Sequence, residues 1–177
     1  MVYKVVINGA PTAGKDTFCN YCIDYLICCC GNGYIISSVD FVKEVAKFCT
    51  WDGTKTPENR AFLSDLKDLL TKWNDIPYKH MMNTTKEIEG WCEHLDVPVI
   101  IFYMIREPEE IKKFVERNPG TVTVRIMRPS VEESKQSNHA DANIANYNYD
   151  LYIIAETLEQ LRESARIFVE RLMKGEL

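Results

Sequence analysis

Apolar and polar positions along this chain alternate between two spacings. One is the short, β-rich run of a buried strand, and the other is the 3.6-residue stripe of an amphipathic helix. Residues 2–7 (VYKVVI) form the first strand and end in Asn8-Gly9. Residues 15–30 follow as a helix, with Phe18, Cys22, Tyr25, Leu26, Cys29 and Cys30 at helical spacing, closed by Gly31-Asn32-Gly33. Residues 34–37 are a brief second strand. Asp40 opens a helix striped by Phe41, Val42, Val45, Ala46 and Cys49, and residues 51–57 are turn-rich. A longer helix is expected over 58–73, with Phe62, Leu63, Leu66, Leu69, Leu70 and Trp73 facing inward, and another over 79–94.

Residues 97–105 (VPVIIFYMI) are the longest apolar run and read as a strand covered on both faces, as in parallel sheets. Pro108 in a first turn, followed by Glu109 and Glu110, starts a helix that Asn118-Pro119-Gly120 ends. Residues 121–126 and 149–154 are the fourth and fifth strands. Thr157 and Gln160 stand at capping-box spacing before a last helix that carries Leu158, Leu161, Ala165, Phe168, Val169 and Leu172. Strand alternating with helix predicts an α/β chain with helices packed on a sheet of five parallel strands. The 177 residues suit one domain, 1–177.

Composition adds exclusions. The chain is 46% hydrophobic and 27% charged, within the globular range, with a net charge of −5. An acidic chain without a run of Lys and Arg points away from nucleic acid or an anionic membrane as partner. Phosphate binding in such a chain requires a local basic pocket. The N-terminus lacks the apolar core and cleavage site of a signal peptide, and no apolar stretch is long enough to span a bilayer, so a cytoplasmic protein is expected.

Chemistry concentrates in GAPTAGKDTF, residues 9–18. It follows G-x-x-x-x-G-K between a strand and a helix, the context in which backbone N–H groups and a helix N-terminus cradle phosphates. Gly9, Ala10, Pro11, Thr12, Ala13 and Gly14 form the cradle, and Lys15 supplies a mobile cation for the β- and γ-phosphates. Asp16 stands where a magnesium-binding hydroxyl is usual, and the hydroxyl follows one residue later at Thr17. No guanine-reading N-K-x-D element accompanies the loop.

The GKDT variant resembles that of adenylate kinase relatives, notably the bacteriophage deoxynucleoside monophosphate kinases. That resemblance implies a P-loop NTPase fold: a three-layer α/β/α sandwich with the nucleotide-kinase strand order. It also implies an ATP-dependent phosphotransferase whose partner is a small phosphate acceptor, a nucleoside or deoxynucleoside monophosphate. ATP and Mg²⁺ are the implied cofactors, with Thr17 serving the phosphates and Asp16 orienting a magnesium-bound water.

Such a reaction needs positioning and charge neutralisation more than covalent chemistry. Arg106, at the end of the 97–105 strand, is therefore expected to clamp the acceptor phosphate or the transferred group, with Lys15 and Arg128 as the other catalytic cations. Arg125 and Arg128, at the end of the fourth strand and the start of the polar segment 128–148, are expected to reach ATP, and that segment resembles a reduced lid. Residues 38–95 resemble the acceptor-binding helices, with Asp40, Lys43 and Arg60 as ligands of the acceptor. A kinase of another small metabolite and a non-catalytic nucleotide-binding regulator remain as alternatives.

Seven cysteines include Cys19-x-x-Cys22 and the run Cys28-Cys29-Cys30, but no second pair follows at zinc spacing. The five clustered cysteines, Cys19, Cys22, Cys28, Cys29 and Cys30, are expected to be buried or half-buried thiols on one helix. His80, His94 and His139 show no metal or triad spacing.

Overall fold

The structure, a computed structural model, describes residues 1–94, 96–132 and 144–177. Five strands form one parallel sheet: β1 (Val2–Asn8), β2 (Asn32–Ser37), β3 (Val99–Met104), β4 (Val122–Met127) and β5 (Leu151–Ile154), in the order β2-β3-β1-β4-β5. Register pairs Val5 with Phe102 and Ile7 with Met104 on one side of β1, and Asn8 with Arg125 on the other. The chain leaves β1 toward β2 on one side, and from β3 crosses β1 to reach β4. The carboxyl end of β1 is therefore the topological switch point, where open α/β sheets bind ligands.

The chain divides into two compact units. One comprises Met1–Ile35 with Cys92–Leu177, the other Ile36–Trp91. In the first, the two faces of the sheet are covered by different helices, as the alternation of side chains along a strand requires. Val5, Ile7, Ile100, Phe102, Val124 and Ile126 face α1 (Lys15–Cys28) and the C-terminal helix Leu158–Met173, where Phe18 and Phe168 stack at 5.6 Å between ring centroids. On the opposite face Tyr103 meets Phe114 of the helix Pro108–Arg117, at 4.4 Å. The sheet thus lies between helices on both faces, the expected three-layer α/β/α arrangement.

The second unit holds α2 (Asp40–Phe48), α3 (Pro57–Asn74) and α4 (Ile76–Cys92, whose last residue belongs to the first unit), with α2 packed on α3. Continuing in chain order, Pro108–Arg117 is α5, Pro129–Glu132 is α6 and Leu158–Met173 is α7, with a 3-10 turn at Ile144–Asn146. The expected capping box is present: Thr157 Oγ1 accepts from Gln160 N at 3.2 Å, while Gln160 Oε1 accepts from Thr157 N.

Several boundaries differ from the sequence expectation. β2 begins at Asn32 rather than 34, because Gly31 N–H already returns to the Leu26 carbonyl and Asn32 N–H bonds the Pro98 carbonyl at 2.9 Å. α1 ends at Cys28, with Cys30 in the left-handed region at φ 61°. Cys28, Cys29 and Cys30 are consequently exposed rather than half-buried, whereas Cys19 and Cys22 are buried. Burial pushes both of those thiols well above the ordinary value, so they stay protonated and pack as small hydrophobes.

The largest difference is in α3. Phe62, Leu69 and Trp73, expected inside, are 37%, 63% and 79% exposed, and the residue the helix buries is Lys67. Leu63, Leu66 and Leu70 are half-buried.

Phe18 is fully buried between sheet and helix, so Phe18→Ala should cost about 3–5 kcal/mol of unfolding free energy. Urea titration followed by circular dichroism measures it.

Candidate functional site

The glycine loop leaves β1 at the switch point and runs into α1. Gly9 has φ 148°, and a Cβ there would stand 2.3 Å from the Ile126 carbonyl oxygen of β4, so no side chain fits. Gly14, at φ 98°, is the N-cap of α1, and Thr12 is also left-handed at φ 64°. The turn is closed by Ala13 N–H on the Ala10 carbonyl, and the helix starts with Phe18 N–H on the Gly14 carbonyl at 2.8 Å. Lys15 Nζ donates to the carbonyl oxygens of Gly9 and Ala10, each at 2.8 Å. The ammonium is thus held over the loop, next to the helix N-terminus, where an anion is favoured.

The root of the loop is a buried amide that the sequence reading passed over. Asn8 is fully buried, and all its polar capacity toward the site is used. Its Oδ1 accepts from Gly9 N–H at 2.8 Å, and its Nδ2 donates to the Arg106 carbonyl at 2.9 Å and to the Tyr149 hydroxyl at 2.7 Å. Tyr149 in turn donates to the Ile144 carbonyl at 3.1 Å. One side chain therefore ties the glycine loop to the carboxyl end of β3 and to the approach to β5. A signal was present in the sequence: an amide at the last position of an otherwise apolar strand, directly before the loop. Tyr149, expected as the first residue of β5, precedes that strand. Its hydroxyl is pushed up to about 12, chiefly by burial, and stays protonated, as the bond to Ile144 requires.

The expected cations are placed as follows. Arg106 is exposed at the carboxyl end of β3, with its backbone fixed by Asn8. Arg125 lies within β4 opposite Asn8, half-buried, its positive charge acting on Tyr149. Arg128 is exposed and lies 3.5 Å from Glu156. Glu156 also accepts from Ser130 Oγ at 2.5 Å and from Ser130 N at 3.3 Å. These bonds, the hydroxyl's first, hold the Glu156 carboxyl below the usual range. The turn after β5 is thereby tied to the start of α6, a role for Glu156 that its position in sequence did not suggest. Of the lid-like segment 128–148, residues 133–143, with His139, lie outside the described residues.

Asp16 is exposed and Thr17 half-buried in the first turn of α1. Among the described residues, no group of three or more His, Cys, Asp or Glu could hold a metal. Mg²⁺ keeps most of its shell as water and phosphate oxygens, so this sparse pair of oxygen donors fits it.

In the second unit, Asp40 Oδ2 accepts from Ser37 N at 2.8 Å, and its Oδ1 lies 3.9 Å from Lys43 Nζ, one helical turn on. Asp40 and Lys43 are brought together; Arg60 is exposed in the first turn of α3.

No protein-family model matches the chain, and no curated protein matches it in sequence. Among solved structures it is similar to a shikimate kinase from Bacteroides thetaiotaomicron (15% identity, 97% of this chain and 98% of that one, TM-score 0.45). It is similar also to an APS kinase of Mycobacterium tuberculosis (14%, 97% and 97%, 0.45) and to a sugar kinase from a Janibacter species (15%, 96% and 95%, 0.47). No described helix is long and apolar enough to cross a membrane.

Tyr149→Phe should lower stability by about 1–3 kcal/mol at neutral pH, since it leaves buried polar partners unsatisfied. Because the folded hydroxyl titrates above an unfolded tyrosine, its contribution is full below about pH 10 and is lost as pH rises toward 12. Denaturant midpoints of the wild type and the variant should converge over that window.

Proposed function

We propose that the protein is a phosphotransferase that moves the γ-phosphoryl of Mg-ATP to a small acceptor already carrying a phosphate, a nucleoside or deoxynucleoside monophosphate. The observation that carries the reading is the glycine loop itself. It sits on the end of the central strand, excludes side chains at Gly9, and holds the Lys15 ammonium at the N-terminus of α1. Backbone N–H groups of residues 10–15 and the helix start bind the β- and γ-phosphates, and Lys15 follows the charge as it shifts onto the transferred group. Asp16 and Thr17 would hold a magnesium ion through water, and that ion would supply charge neutralisation to the transferring phosphates.

Arg106 bears on the acceptor phosphate, and its position relative to the loop is fixed through Asn8. Arg125 and Arg128 serve the ATP side. Asp40, Lys43 and Arg60 bind the acceptor, with the cations on its phosphate and Asp40 on a sugar hydroxyl. The −5 charge of the chain makes these cations a local feature rather than a general attraction for polyanions.

ADP formation from Mg-ATP, measured across a panel of nucleoside and deoxynucleoside monophosphates, tests the reading. Turnover with one or a few acceptors is expected, absent in Lys15→Ala. Arg106→Ala should lower turnover by about 10²–10³-fold while changing ATP affinity by less than about threefold. Acceptor-independent behaviour with ATP still bound would overturn it.

A further inference from the structure

The outward face of α3 carries a second apolar stripe that the core does not use. Phe62, Leu66, Leu69 and Trp73 follow one another at intervals of four, three and four residues, the spacing of a coiled-coil seam. At 3.6 residues per turn they fall within a sector of about 60°. Three of them are among the large exposed hydrophobic residues of the chain. A seam of this kind on a charged, acidic protein is a contact surface rather than scattered exposure.

Its flanks say what covers it. Asp65 and Lys72 occupy equivalent positions on one side of the seam, one heptad apart, and both are exposed. The other side carries Leu63 and Leu70, half-buried. In a parallel helix pair the charged flank of one copy would face the leucine flank of the other, and no charges would pair. In an antiparallel pair, like flanks meet. Leu66 then opposes Leu69 of the other copy, Phe62 opposes Trp73, and Asp65 approaches Lys72 twice by symmetry. The stripe is therefore self-complementary in both shape and charge, which is what an isologous two-fold contact demands.

We propose that the protein forms a homodimer in which α3 of one chain packs antiparallel on α3 of the other through Phe62, Leu66, Leu69 and Trp73, with reciprocal Asp65–Lys72 pairs. The inference does not depend on the phosphotransferase reading. Sedimentation equilibrium of the intact chain should show a reversible dimer. Leu69→Asp should yield a monomer with an unchanged circular dichroism spectrum, since the position lies outside the core, and a melting temperature that no longer rises with protein concentration as the wild type's does.

Asp65→Lys and Lys72→Asp, each of which sets two like-charge pairs in the seam, should each weaken the dimer by about tenfold or more. The double reversal should restore it to within about threefold of the wild type, because the pairs re-form with signs exchanged. Any of three results overturns the proposal. The wild type could be monomeric up to millimolar concentration, the dimer could survive Leu69→Asp, or the double reversal could stay as weak as the single ones.

Discussion

The fixed point of the first unit is the Asn8 side chain at the end of the central strand. A primary amide has two N–H donors and an acceptor oxygen, and each is given to a different part of the chain. Burial makes those bonds obligatory, because an unsatisfied amide group inside a protein costs more than a bond contributes when formed. The glycine loop therefore cannot shift against β3 or against the segment that enters β5 without breaking one of them. The close approach of Gly9 to the Ile126 carbonyl adds a third neighbour of the loop, β4. Four pieces of chain far apart in sequence are held in register at the switch point of the sheet, where a phosphate cradle has to be rigid to be useful.

Much of this could be read in the sequence. The alternation of apolar runs with amphipathic stripes located every strand and nearly every helix, because both faces of a parallel sheet must be covered and that requirement writes itself into continuous apolar runs such as 97–105. The glycine loop was legible because its conformation and its close approach leave few residue types possible. The capping box at Thr157 and Gln160 was legible for the same reason: its hydrogen bonds are local.

What was not legible is non-local. Asn8 and Tyr149 are 141 positions apart, and neither carries a local pattern that names the other. Glu156 reads as an ordinary polar residue before a helix until Ser130 and Arg128 are seen beside it. α3 fails differently. Its leucines and aromatics gave the helix correctly, but six apolar residues over 62–73 are more than one face can hold. Periodicity alone does not say which of two stripes, 63–67–70 or 62–66–69–73, is buried. The answer, with Lys67 inside and Trp73 outside, is set by what α3 packs on rather than by hydrophobicity.

Three of the expected phosphate-binding cations rest on weak internal acceptors. Lys15 rests on two loop carbonyls, Arg128 on Glu156, and Lys43 near Asp40. Each contact fixes a direction without adding much energy, since exposed ion pairs contribute about 0–1 kcal/mol and neutral carbonyls compete weakly with a phosphate for an ammonium. The proposed phosphotransferase activity, in a chain of net acidic charge, would set two opposed needs: cations oriented before the substrate arrives, and cations that exchange partners at low cost when it does. Pairing these three cations with weak internal acceptors meets both. In the first unit it accounts for why the strong, fully satisfied bonds are spent on the neutral Asn8 amide, which has to stay fixed, while Lys15 and Arg128 are held loosely enough to change partners.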